Sequence, residues 1–144
     1  MDLEEQYDCI YRYCYYRLRH VQLAEDITQE TFLRFFECER KDTGRPLAYL
    51  YTVARNLCID EFRKKKMEEL PDNLPGDDPQ DKLLDSMALR QALYALTEYE
   101  RELVLLRYVN EVPVADMARI YGISRFALYR ELKKILKKLE GRIL

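Results

Sequence analysis

Tryptophan is absent from this chain of 144 residues, glycine occurs four times, and histidine only once, as His20. The four cysteines, Cys9, Cys14, Cys38 and Cys58, form no Cys-x-x-Cys pair. A structural zinc site needs closely grouped thiol or imidazole ligands, so the sequence offers no metal centre. Each cysteine lies in apolar, helix-like sequence, where cysteine behaves as a small buried hydrophobe. No stretch approaches the roughly 20 apolar residues of a membrane span. The acidic start, Met1-Asp2-Leu3-Glu4-Glu5, opens no long apolar run and resembles no signal peptide. A cytoplasmic, reduced protein is expected. Excess charge of one sign is missing as well: the net charge is −2, so overall basicity cannot argue for nucleic acid. Glycine-rich phosphate loops, metal clusters and nucleophile–base signatures are also lacking, which speaks against an enzyme, a cofactor or a small-molecule substrate.

What is present favours helices. Apolar residues make up 48% of the chain and charged residues 35%, enough for compact cores and unlike a disordered chain. There is no alternating strand pattern and no internal repeat, so the fold is expected to be all-α. Three helical segments precede residue 67. The first, about 4–19, repeats Tyr7, Tyr11, Cys14, Tyr15 and Leu18 at three- and four-residue steps. The second, about 24–40, sets Ile27, Thr31, Leu33/Arg34 and Cys38 around a helix, with Glu25 and Asp26 at its positive end. The third, about 46–66, opens on Pro46, a residue suited to a first turn. One face runs Leu47, Leu50/Tyr51, Ala54, Leu57/Cys58 and Glu61/Phe62, with Arg55, Asn56, Asp60 and Arg63 off that face.

Residues 70–79 then pack three prolines, a glycine and four acidic or amide residues into ten positions. No regular element survives such a composition, so a flexible linker at about 67–79 divides two small helical domains, 1–66 and 80–144. The second begins with a helix of about 80–95. Thr97-Glu98-Tyr99-Glu100 follows as a capping box before the apolar run 103–106. Charge is unevenly spread: residues 71–85 hold five acids and one base, residues 113–144 eight bases and three acids. A basic end suits nucleic acid, and it equally suits a solvated helix face.

Residues 113–139 read as a helix-turn-helix. Val114, Met117, Ala118 and Tyr121 give a short first helix, Gly122 can take the positive φ of the tight turn, and Ser124 is a candidate N-cap. Small Ala118 permits close approach, while Ile123 and Leu128 join the two helices. Arg125, Phe126, Tyr129, Arg130, Lys133 and Lys134 are left facing outward, as a helix entering a major groove requires. Arginine reads guanine edges and lysine mainly meets phosphates. Two readings stay open here, a DNA-reading helix and an ordinary helical hairpin with a basic face.

Taken in order, these blocks resemble the extracytoplasmic-function (ECF) branch of the sigma-70 family. Residues 24–32 resemble that family's region 2.2, residues 46–60 its regions 2.3 and 2.4, residues 96–108 its region 4.1, and the helix-turn-helix its region 4.2. The resemblance implies a promoter-reading initiation factor that docks on core RNA polymerase, at the β′ coiled coil and the β flap, and is held by an anti-sigma factor. By position it makes Asp26, Gln29 and Glu30 polymerase-binding residues. It makes Asn56 the residue that captures a flipped base of the −10 promoter element, with Arg55, Arg63, Lys64, Lys65 and Lys66 holding phosphates nearby. The helix from Ser124 would read the −35 element with Arg125, Phe126, Tyr129, Arg130, Lys133 and Lys134. The sequence departs from the family at three places: Tyr49 stands where region 2.3 commonly has tryptophan, and Phe126 and Glu131 lie in a recognition helix usually begun by a small Gly-Thr-Val run. Phe126 could meet thymine methyl groups or pack on the preceding helix. A helix-turn-helix regulator that is not a sigma factor is the alternative, and it leaves the blocks at 24–32 and 46–66 without a purpose.

Overall fold

A computed structural model describes residues 2–38, 45–67 and 87–143, with side chains over 2–38, 45–65 and 91–141. The described residues form helices and their connections, without strands. They fall into two compact units. Except for Met67, which ends a helix, the stretch 67–79 lies outside the described residues.

The N-terminal unit is a three-helix bundle of α1 (Leu3–Leu18), α2 (Val21–Glu37) and α3 (Pro46–Met67), each packed on the other two. A capping box starts α1: the Asp2 carboxylate accepts from the Glu5 N–H at 2.8 Å, and Glu5 accepts from the Asp2 N–H at 3.3 Å. The helix stops at Arg19, left-handed at φ 56°, whose N–H donates to the Tyr15 carbonyl. His20 immediately starts the next helix, its Nδ1 accepting from the Leu23 N–H at 3.1 Å. The sequence reading began α2 at Ala24, but this histidine cap places Glu25 and Asp26 in the second turn instead of at the helix start.

The bundle core is made by Ile10, Tyr13, Cys14 and Leu18 of α1, Ala24, Ile27, Phe32 and Phe35 of α2, and Leu50, Tyr51, Ala54 and Cys58 of α3. Tyr13 and Tyr51 meet edge to face at 5.6 Å. Small residues, Ala24, Ala48 and Ala54 among them, are buried along the bundle interior. Thr28 and Thr31 are fully buried on α2, and this costs little because their hydroxyls donate to the Ala24 and Ile27 carbonyls at 2.6 and 2.7 Å. The inward register of α2 is therefore 24, 27/28, 31/32 and 35. Leu33 and Arg34 are exposed.

The C-terminal unit comprises α4 (Met87–Ala95), α5 (Glu98–Val104), α6 (Val114–Tyr121) and α7 (Arg125–Ile143). A π-helical turn over Leu105–Val109 extends α5, closed by the Asn110 N–H donating to the Leu105 carbonyl at 2.9 Å. The helix-turn-helix follows the expected plan. Gly122 takes φ 66°, and the Ser124 hydroxyl accepts from the Ala127 N–H at 3.1 Å to start α7. Leu128, Leu132, Ile135 and Leu139 form the buried stripe of α7, with Leu103 and Leu106, Met117 and Ile120 buried from the preceding helices.

The expected capping box at Thr97 is present, with Thr97 Oγ1 accepting from the Glu100 N–H at 3.1 Å and Glu100 accepting from the Thr97 N–H at 3.0 Å. The other Glu100 oxygen bridges to Lys138 Nζ of α7 at 2.7 Å. The Lys138 hydrogen bond, reinforced by the Thr97 backbone, holds the Glu100 carboxyl below the ordinary carboxylate range. Its contribution is then fully present above the unfolded-state carboxyl value and is lost as pH falls through the lower folded-state value. Glu100→Gln should lower the stability of the C-terminal unit at neutral pH, and the difference from wild type should fade in acid. Urea unfolding at a series of pH values measures this.

Candidate functional site

Three solvent-facing helix surfaces carry the residues singled out in the sequence. On α2, Asp26 and Gln29 are exposed and Glu30 half-buried, all on the side away from the core. Asp26 accepts from the Gln22 amide at 2.9 Å, and Glu30 pairs with Arg34 at 3.0 Å. Both contacts are at a spacing of four residues and exposed, so they arrange the surface more than they stabilise it. Leu33 and Phe36 continue the same face at 55% and 53% exposure. Sequence reasoning missed these two. Their signal was their spacing, since Leu33 lies seven residues beyond Asp26 and Phe36 seven beyond Gln29.

On α3, Asn56 and Arg63 are exposed and share a face, with Asp60 between them and Lys64 beside them. Lys65 is half-buried, and the side chain of Lys66 lies outside the described residues. Arg55 is half-buried and points about 100° further round the helix from Asn56. The arrangement is a polar amide on a rigid helix with cations about two turns further along. Tyr49, at the start of α3, packs on Phe35 with ring centres 5.8 Å apart. A hydrogen bond with Cys38, and secondarily burial, raises the Tyr49 phenol above its ordinary value. At the far end of the bundle the Arg17 guanidinium lies 5.2 Å over the Phe62 ring and donates to the Tyr13 hydroxyl at 2.9 Å, tying α1 to α3 just before the basic run.

On α7, Arg125, Phe126, Tyr129, Arg130, Lys133 and Lys134 are all exposed. Four cations and two aromatic rings thus occupy the outward side of the second helix of a helix-turn-helix. Phe126 is 84% exposed, which excludes the reading that it packs against α6.

The Sigma-70 region 2 profile matches residues 3–68, and the profile Sigma-70, region 4 matches residues 86–139. The chain belongs to the sigma-70 family. Its ECF branch is indicated by relatives. The ECF RNA polymerase sigma factor BldN of Streptomyces coelicolor is 35% identical over 158 aligned residues, which cover 95% of this chain and 59% of BldN. The chain therefore spans little more than half the length of that relative. ECF RNA polymerase sigma factor SigW of Bacillus subtilis is 30% identical over 136 residues, covering 81% of this chain and 73% of SigW. Among solved structures, the sigma factor RpoE of Bartonella quintana, crystallised with the anti-sigma factor NepR, shares the fold. The TM-score is 0.72 at 19% identity, over 98% of this chain and 93% of RpoE.

In sigma-70 terms the bundle α1–α3 is region 2, and α4–α7 carry region 4. Among the described residues no helix is long and apolar enough to cross a membrane, and no three or more His, Cys, Asp or Glu are grouped as metal ligands.

The acid that departs from the family's region 4 pattern has a structural explanation. Glu131 is half-buried and accepts a hydrogen bond from the Tyr99 hydroxyl of α5 at 2.7 Å, while the Tyr99 ring meets Tyr121 of α6 edge to face at 5.4 Å. Tyr99 therefore contacts both helices of the helix-turn-helix and draws Glu131 toward α5, away from the basic face. A hydrogen bond to a charged acceptor, weakened by partial exposure, is worth about 1 kcal/mol. Tyr99→Phe and Glu131→Met, which removes the acceptor, should each destabilise the C-terminal unit, and together by less than the sum, with a coupling near that value in a urea-unfolding double-mutant cycle. Strict additivity would show that the bond contributes nothing.

Proposed function

We propose that this sigma factor docks on core RNA polymerase through region 2, opens the −10 promoter element with α3 and reads the −35 element with α7. The division into a region 2 domain at 1–66, a linker at 67–79 and a region 4 domain at 80–144 belongs to this reading. Asp26, Gln29 and Glu30 supply polar contacts to the β′ coiled coil, and Leu33 and Phe36 supply the apolar area that polar pairs alone do not provide. Region 4 meets the β flap. Asn56 captures a base turned out of the −10 stack, since its amide both donates to and accepts from a base edge. Arg55, Arg63, Lys64, Lys65 and Lys66 hold phosphates beside it. Unstacking costs a few kcal/mol per base, so capture must be specific to offset it. Arg125, Phe126, Tyr129, Arg130, Lys133 and Lys134 enter the −35 major groove. The chain acts in the cytoplasm, needs no cofactor and carries out no catalysis of its own. An anti-sigma factor holds it inactive, as partners of that kind are named for RpoE.

The observation that carries this reading is the pair of family matches, in order along the chain. A helix-turn-helix regulator of another kind would leave α1–α3 unused. The direct test is reconstitution with core polymerase followed by run-off transcription on genomic fragments. Failure to bind core would end the proposal. Within that assay Asn56→Ala should slow promoter opening roughly tenfold, the worth of a specific base contact, and leave core affinity unchanged. Normal opening by the variant would remove Asn56 from the base-capture role.

A further inference from the structure

We infer that Phe126 makes this sigma factor a reader of thymine in the −35 element, by apolar contact with the C5-methyl group. The inference rests on the −35 role proposed above and adds to it the base that is read and the chemical group that identifies it. Phe126 has the greatest exposure among the large apolar side chains of the described residues, at 84%. It is the second residue of α7, directly after the Ser124 cap and Arg125, in the stretch that a recognition helix presents to base edges. A phenyl ring can neither donate nor accept a hydrogen bond. In the major groove the apolar mark on a base edge is the thymine methyl, which cytosine lacks.

Charge selects the occupant. Phe126 stands among Arg125, Arg130, Lys133 and Lys134, all exposed. A protein partner burying the ring would have to desolvate these cations or match each with an acid, whereas duplex DNA offers phosphates on both sides of the groove. The competing pyrimidine is disfavoured from the same helix. A glutamate in the groove would accept from cytosine N4, but Glu131 is held to Tyr99 on the α5 side. The helix thus keeps its acid aside and puts a methyl-seeking ring forward.

The test uses the full chain with core polymerase. Duplexes randomised across the −35 region are selected for binding, and the winning sequence is resynthesised with deoxyuridine replacing thymine one position at a time, so that only a methyl group is lost. Wild-type holoenzyme should bind at least one such probe about fourfold more weakly, the worth of one buried methyl. Phe126→Ala should bind the thymine and uracil probes alike, with an unchanged melting temperature. Arg130→Ala should weaken binding yet keep the thymine preference. The inference is overturned if uracil is tolerated at every position, or if Phe126→Ala keeps the preference. It is equally overturned if Phe126→Ala loses core binding while its DNA contacts stay intact. If no duplex sequence is enriched at all, the −35 reading itself fails, a result distinct from enrichment without methyl sensitivity.

Discussion

A helix of a small bundle can bury only one stripe of its surface, and this constraint organises both units. In α1–α3 the inward stripes are filled by leucine, isoleucine, tyrosine, phenylalanine, alanine and cysteine, with two threonines that satisfy their own hydroxyls. What is left outside is a fixed set of side chains on rigid elements. Asp26, Gln29, Leu33 and Phe36 lie together because Ala24, Ile27, Thr31 and Phe35 point the other way. Asn56 and Arg63 share a face because Leu50, Tyr51, Ala54 and Cys58 take the opposite one. Each partner-facing surface is in this sense the complement of a core, so a core substitution that rotates a helix would move a whole surface.

The C-terminal unit adds a second constraint, contacts from outside the helix-turn-helix. Glu100 and Tyr99 are consecutive residues of α5, and they reach Lys138 and Glu131 on α7. The capping box that starts α5 thereby also fixes where its two neighbours aim. A local device, worth about 1 kcal/mol as a cap, acquires a long-range role through one shared carboxylate.

Most of the helices were legible in the sequence because their apolar periods are clean, and Thr97, Gly122 and Ser124 punctuate them with recognisable chemistry. The α2 register was not. Phe32-Leu33-Arg34-Phe35-Phe36 offers two apolar stripes, and spacing alone cannot say which is buried. The inward threonines disguised the true one, and the start at His20 was hidden because histidine is an unusual cap. Among site residues, the outward set on α7 and the position of Asn56 followed from periodicity, whereas Leu33 and Phe36 were masked by that same ambiguity. The Tyr99–Glu131 contact joins residues 32 apart, and no local pattern encodes it.

The two attachments on α7 have a mechanical consequence. Glu131 and Lys138 are seven residues apart, two turns and about 10 Å along the axis, and both are held by the same short segment of α5. A rod pinned at one point can roll and pivot, whereas a rod pinned at two points on one side resists both. The side chains of the opposite face then behave as teeth of a single comb, with their spacing and angle set before any ligand arrives. Adaptation between this helix and a nucleic-acid groove must accordingly come mostly from the groove.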